Sequence, residues 1–227
     1  MQTTDYRKFR LNKLNTPEFR HIWLLIFWPI FGIVFFSLEH LVPLEFHPVQ
    51  CALDDLIPYC EYFFIPYFYW FVFIFWILIY SFFFDIPTFK KYMYFVIITY
   101  AITCIIYFIY PSEQNLRPTQ FERDNIFVEI AKDFYAFDTN TNVCPSLHVT
   151  GSFAVAFAAW HSKRYSTVFW RIFFMASAVL ISASTVFVKQ HSIIDSVVSL
   201  VLCFAVYPFV FCKKRVKKVP NAVAASN

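Results

Sequence analysis

The sequence predicts an all-α integral membrane bundle of six transmembrane helices, with both termini cytoplasmic and the polar chemistry on the extracytoplasmic side. Three observations predict it. Hydrophobic residues make up 59% of the chain and charged residues 15%, with a mean hydropathy of +0.54. Soluble domains carry about 25% charged residues, so the polar groups needed to cover a water-facing surface are missing. The apolar residues fall in runs near the length of about 20 that a bilayer-spanning helix needs. Finally, Lys and Arg are divided unequally between alternate connections, which sets orientation.

The six expected spans are residues 22–38, 62–84, 92–110, 147–160, 167–188 and 193–212. They divide the chain into a cytoplasmic tail (1–21), a membrane domain (22–212) and a basic cytoplasmic tail (213–227). Helices are expected because lipid offers no partner to an open backbone amide. The fourth run is short. Its 14 residues reach about 21 Å at 1.5 Å per residue. Either its outer end lies below the membrane surface, or its helix continues through residues 161–164. In the third connection Phe121, Ile126, Phe127, Ile130 and Phe134 recur at roughly helical spacing. That pattern predicts an amphipathic helix over 119–137, lying on the bundle or at the interface.

Orientation rests on the basic residues. The N-terminal tail, the second and fourth connections and the C-terminal tail hold 15 Lys and Arg, and the opposite side holds four: Arg117, Arg123, Lys132 and Lys189. The outer side is acidic, with Glu39, Glu45, Asp54, Asp55 and Glu61 in the first loop and six carboxylates in the third connection. The basic tails read as topology signal and lipid headgroup contact, so the formal charge of +4 does not point to nucleic acid. Only two glycines are present, Gly32 and Gly151, which excludes a Gly-rich phosphate loop. The first 20 residues are polar and lack a small-residue cleavage site, so no cleavable signal peptide is expected. The six cysteines do not form a disulfide framework. Cys51 and Cys60 are close enough in sequence to bridge, but a reduced or buried pair is the expectation.

The candidate chemistry lies at the ends of spans. His191 precedes Asp195 by four residues, so on a helix the two share a face, and a carboxylate there fixes the imidazole tautomer and stabilises its cation. Ser192 with Asp195 also fits a capping box, which accounts for the acid but not for the histidine. His148 follows Pro145 and Ser146, a helix start with Ser146 as N-cap, where free amides favour an anion. Arg117, after the third span, offers a guanidinium that clamps two phosphate oxygens. Lys189 adds a cation two positions before His191. This set suits phosphoryl transfer at a membrane surface without a metal or cofactor. One imidazole attacks phosphorus, the other protonates the leaving alcohol, and cations and amides hold the remaining oxygens.

On these residues the chain resembles the type-2 phosphatidic acid phosphatase superfamily, the lipid phosphate phosphatases, whose site is shared with vanadium haloperoxidases. Arg117-Pro118, Pro145-Ser146-Leu147-His148, and Ser184-Thr185 followed by His191 and Asp195 match its three motifs in order. The resemblance implies His191 as nucleophile oriented by Asp195, His148 as general acid and later base, and Arg117, Ser146 and nearby amides as the phosphate cradle. Three positions depart from the pattern: Tyr110 stands for the first motif's Lys, Leu147 for the second's Gly and Thr185 for the third's Arg. Lys189 is the expected replacement charge. The Ser-Leu-His form and the absent Arg are more similar to the inositol phosphorylceramide synthase branch, which passes a phospho-headgroup to a lipid alcohol.

The leading expectation is therefore a multi-pass enzyme, placed in the plasma membrane, that hydrolyses a lipid phosphate ester through a phosphohistidine. Its partners are the lipid substrate and the bilayer. Alternatives are a lipid phospho-headgroup transferase and, in a different class, a non-catalytic lipid-binding membrane protein. A transporter or metal site built on His148, His191 and Asp195 is a further class. A structural zinc site would need a fourth ligand, and no broken-helix or repeat signal for transport is present.

Overall fold

Runs of Phe, Ile, Tyr and Trp, broken by glycine only at Gly32 and Gly151, leave the backbone no choice but to satisfy its own amides, and the chain does so as helices. A computed structural model describes residues 4–40 and 45–212. The basic tail predicted over 213–227 lies outside them. Eight α-helices are described: α1 Phe27–His40, α2 Ala52–Leu56, α3 Phe64–Phe84, α4 Ile86–Ile109, α5 Ile126–Phe137, α6 Leu147–His161, α7 Val168–Phe187 and α8 Ile193–Phe211. A 3₁₀ helix, Arg20–Ile26, leads into α1, and a 3₁₀ turn, Glu61–Phe63, leads into α3. Two short parallel strands, β1 His47–Pro48 and β2 Ser112–Glu113, join the first loop to the third connection.

Among the described residues, five segments are long and apolar enough to cross a membrane: Arg20–His40, Glu61–Phe84, Ile86–Ile109, Val168–Phe187 and Ile193–Phe211. The fourth expected span is the exception. α6 has 15 residues, about 22 Å of helix, and stops at His161 with Ser162 as its C-cap instead of running on through residue 164. Its length follows from its position. Every residue from Val149 to Ala159 is buried, enclosed by α3, α4, α7 and α8. Small residues permit this close wrapping. A Cβ added to Gly151 would stand 2.6 Å from the Tyr100 hydroxyl and 3.1 Å from Trp70 Nε1.

Two other boundaries differ from expectation, both because of caps. α4 begins at Ile86, six residues before the apolar run suggested, since Asp85 accepts bonds from the Thr88 amide (3.4 Å) and hydroxyl (2.9 Å) and Pro87 sits in the first turn. Lys90 and Lys91 therefore lie within α4 and not in a loop. Asp85 also accepts from Ser162 Oγ at 2.9 Å, tying the start of α4 to the end of α6. The amphipathic helix starts at Ile126, not at 119, because the Asn125 side chain caps it by accepting from the Phe127 and Val128 amides. Upstream, Arg123 and Asn125 both donate to Glu61. Val128 and Ala131 are buried on the bundle side of α5, near Phe64 and Tyr67.

The helices alternate in direction, so the chain has two ends. One end gathers the N-terminal segment, the α3–α4 corner and the α6–α7 connection. There Phe19 is fully buried, and the Tyr6 hydroxyl bridges His21 Nε2 and the Phe82 carbonyl, both at 2.7 Å. The other end gathers the first loop, residues 110–146 and the α7–α8 turn, and it holds every candidate site residue. The six cysteines are free.

Candidate active site

Residues 141–146 must turn the chain into the buried helix α6, and they are held by bonds from three elements. Ser112 Oγ accepts from the Val143 and Cys144 amides, both at 3.1 Å. The Cys144–Pro145 bond is cis, and Tyr107, near the end of α4, donates to the Pro145 carbonyl at 2.6 Å. Ser146 is the N-cap of α6, as expected; its hydroxyl accepts from the Val149 amide and its own amide donates to Ser199 Oγ at 2.7 Å. Fully buried and committed to these bonds, Ser146 shapes the site from behind and does not line the cavity in front of it.

One residue into α6, the His148 ring lies between Tyr67 (centroids 4.4 Å apart) and Trp70 (4.5 Å). Its Nε2 is buried without a hydrogen-bond partner. The turn between α7 and α8 delivers the second ring. The Thr185 carbonyl accepts from the amides of both Gln190 and His191, closing a tight turn in which Lys189 takes a left-handed φ of 53°. His191 Nδ1 meets Asp195 Oδ2 at 3.1 Å. Asp195 also accepts from the Ser192 amide, so the capping box and the histidine pair are both present and share one oxygen. With Nδ1 directed at a carboxylate, Nε2 is the nitrogen left for chemistry. The two imidazoles face each other with centroids 5.8 Å apart, in a cavity of about 270 Å³ that both of them line. Beside them, burial and the Asp195 carboxylate push the Cys144 thiol up to about 12, so it stays protonated.

The cations are placed differently from the sequence reading. Arg117 reaches the same end, but both terminal nitrogens of its guanidinium are engaged, while its buried Nε has no partner among the described residues. It donates to the carbonyls of Tyr135 (3.2 Å), Asp138 (2.9 Å) and Thr139 (2.5 Å) and to Gln190 Oε1 (2.7 Å), and lies over the Tyr135 ring. Burial lowers its pKa, with Asp138 opposing. Arg117 thus braces the cavity wall from outside. Lys189 is turned away altogether. Its Nζ donates to the carbonyls of Asp54 (2.7 Å) and Ile57 (2.6 Å) in the first loop, and burial lowers its pKa. The expectation that Lys189 supplies the missing charge to the cavity fails on this geometry. Tyr110 stacks on His47 at 4.0 Å, and Thr185 is buried with its hydroxyl on the Ser182 carbonyl. Among the described residues no Lys or Arg lines the cavity, while Glu39 and Asp138 do. Burial raises the pKa of Asp138, with Arg117 opposing.

Sequence reasoning missed Gln190, adjacent to His191 and part of the cavity wall. It read Asp54 only as one of the acidic residues of the first loop, whereas Asp54 is fully buried. Asp54 accepts from Ser192 Oγ (2.7 Å), the Ile193 amide (2.8 Å) and the Cys51 amide (2.8 Å), clamping the first loop to the start of α8. The signal for Asp54 was its acidic loop near a helix start, which composition alone does not pair with a partner 138 positions away. Among the described residues no group of three or more His, Cys, Asp or Glu is arranged to hold a metal ion.

No curated protein and no solved structure matches the chain. The stretch from residue 111 to 217, which carries Arg117, His148, His191 and Asp195, matches the PAP2 superfamily, whose members are phosphatases or phosphotransferases. Five membrane-length helices mark the chain as an integral membrane protein, and its residues 111–217 resemble the PAP2 superfamily.

Proposed function

We propose that the chain transfers a phosphorus-bound group from a membrane lipid through a phosphohistidine at His191. The observation that carries this reading is the meeting of the Asp195-oriented His191 with His148 across one cavity, rings 5.8 Å apart. His191 Nε2 attacks phosphorus and a P–N bond forms. The P–O bond to the lipid alcohol breaks, its electron pair leaves on oxygen, and His148 supplies the proton. An acceptor hydroxyl then gives its proton to His148 and attacks phosphorus, and the P–N pair returns to His191. Asp195 stabilises the imidazolium character that develops on His191.

With water as acceptor the protein is a lipid phosphate phosphatase; with a lipid hydroxyl it is a headgroup transferase. The absence of any Lys or Arg from the cavity lining among the described residues favours the transferase, because a phosphomonoester carries up to about two negative charges at neutral pH. By the distribution of Lys and Arg we place both termini in the cytosol, α6 as a sixth, protein-enclosed span, and the cavity on the outer face of the plasma membrane. The test is an acid-labile, base-stable label on the detergent-purified protein fed phosphorus-labelled lipid. The label should map to His191, disappear in His191→Ala and accumulate in His148→Ala once formed. Labelling that survives His191→Ala refutes the assignment.

A further inference from the structure

Resting on the phosphohistidine reading above, we propose that the lipid donor is a zwitterionic phosphodiester with an alkylammonium headgroup, and that Gln190 Nε2, not a cation, binds its phosphate oxygen. Three independent features of the cavity lead there.

The first is its charge. Glu39 and Asp138 line it, and among the described residues no Lys or Arg does. Each basic residue at this end is committed elsewhere: Arg117 to three carbonyls and Gln190, Lys189 to the first loop, Arg123 to Glu61 and Lys132 to Glu129. A dianionic monoester placed between the histidines would face two carboxylates with no fixed countercharge. A phosphodiester brings one negative charge, and an ammonium group on the same molecule supplies a cation to Glu39, which has no basic partner among the described residues, and to Asp138, whose nearest cation is Arg117 at 3.8 Å.

The second is Gln190, only 3% exposed. Its Oε1 accepts from Arg117 Nη2 at 2.7 Å. A guanidinium is donor-only, so this bond fixes which end of the amide is which. The free end is Nε2, a buried donor without a partner in the cavity wall. An unpaired buried donor is costly and is satisfied by an acceptor arriving in the cavity. A neutral donor suits a singly charged phosphate oxygen, and Arg117 polarises it from behind.

The third is the placement of the acids. Glu39 accepts from the Thr139 hydroxyl and from Asn142 Nδ2 at 3.1 Å, which fixes its carboxylate on the wall. Asp138 lies 3.8 Å from the Arg117 guanidinium, and burial raises its pKa, a cost that an incoming cation offsets. Tyr67, Trp70 and Phe134 also line the cavity, and aromatic rings attract alkylammonium groups. In the transfer step the diacylglycerol oxygen leaves with the P–O pair and takes the His148 proton, and the headgroup phosphate stays on His191 as a P–N ester. An acceptor hydroxyl, losing its proton to His148, then takes the phosphorus and restores the imidazole.

The experiment supplies the protein in detergent with headgroup-labelled phosphatidylcholine, phosphatidylethanolamine, phosphatidylglycerol or phosphatidic acid, each with a diacylglycerol acceptor whose acyl chains differ in length from the donor's, so that the labelled product separates from the donor. The expected result is an ammonium-headed donor, choline or ethanolamine, used at least about tenfold faster than the other two, the scale of one charge-assisted contact. Glu39→Gln with Asp138→Asn should collapse that preference, and Gln190→Arg should shift it toward phosphatidic acid. Faster use of phosphatidic acid or phosphatidylglycerol, abolished by His191→Ala, overturns the headgroup assignment and leaves the phosphohistidine standing. An unchanged ranking in the Glu39/Asp138 double variant also overturns it. Failure of every donor to label His191 removes both readings. The wild-type ranking needs no variant to fold.

Discussion

Replacing Asp54 by alanine should both destabilise the fold and slow the reaction, although Asp54 lies outside the cavity. Its carboxylate is fully buried and accepts three bonds: Ser192 Oγ and the Cys51 amide on Oδ2, and the Ile193 amide on Oδ1. Hydrogen bonds to a charged group contribute about 1.5–3 kcal/mol each, and some of the freed donors will find water, so a net loss of about 3–5 kcal/mol is expected. At about 2–4 °C per kcal/mol for a chain of this size, Tm should fall by about 6–20 °C. Asp54→Asn should do nearly as much harm. Donors approach both oxygens, so either orientation of the amide sets its NH₂ against a donor. Ser192 and Ile193 directly follow His191, so the loosened turn should also lower the rate of His191 labelling. Burial alone would raise the Asp54 pKa, but the bonds from Ile193, Ser192 and Cys51 prevail and hold it below the usual carboxylate value. Its contribution is therefore complete above the ordinary carboxylate range and is lost as pH falls through the lowered pKa. Thermal unfolding in detergent between pH 7 and pH 3 reads this directly. A variant with wild-type Tm at pH 7 and an unchanged labelling rate would refute the clamp.

Two further outcomes are expected. Gly151→Ala places a methyl group 2.6 Å from the Tyr100 hydroxyl and 3.1 Å from Trp70 Nε1; overpacking of this kind costs about 1–3 kcal/mol. Because Trp70 packs against His148, the labelling rate should fall with Tm, and wild-type values for both would show that the wrap around α6 has slack. Lys189→Ala removes two buried bonds to the first loop and should lower Tm by about 4–8 °C for a loss of about 2 kcal/mol, with KM for the lipid unchanged; a raised KM at unchanged Tm would return Lys189 to the phosphate.

The helical bundle was legible because hydrophobic run length is a direct record of what surrounds a helix. α6 was the weak point, since an enclosed helix needs small residues more than apolar length, and Gly151, Ala154, Ala156 and Ala158 dilute the hydropathy signal. The two histidines and Asp195 were legible because a polar, titratable side chain at the margin of an apolar run is costly and because His191 and Asp195 are one helical turn apart. The fates of Arg117 and Lys189 were not legible. A sequence gives a cation's position along the chain, whereas its partner is fixed by tertiary structure, here the carbonyls of residues 135–139 and of the first loop. Gln190 was invisible for the opposite reason. Its importance comes from one free nitrogen, which appears only when the other end of the amide is seen to be occupied.

The enclosure of α6 separates its residues 149–159 from the lipid phase. Hydrophobic mismatch, which tilts or stretches spans that touch acyl chains, has no lipid contact through which to act on residues 149–159. The height of His148 is fixed by protein neighbours, chiefly the Tyr107 bond to Pro145 at one end and the Asp85–Ser162 bond at the other. Moving the protein between thinner and thicker bilayers should therefore re-angle the outer helices while the distance between the two imidazoles stays the same.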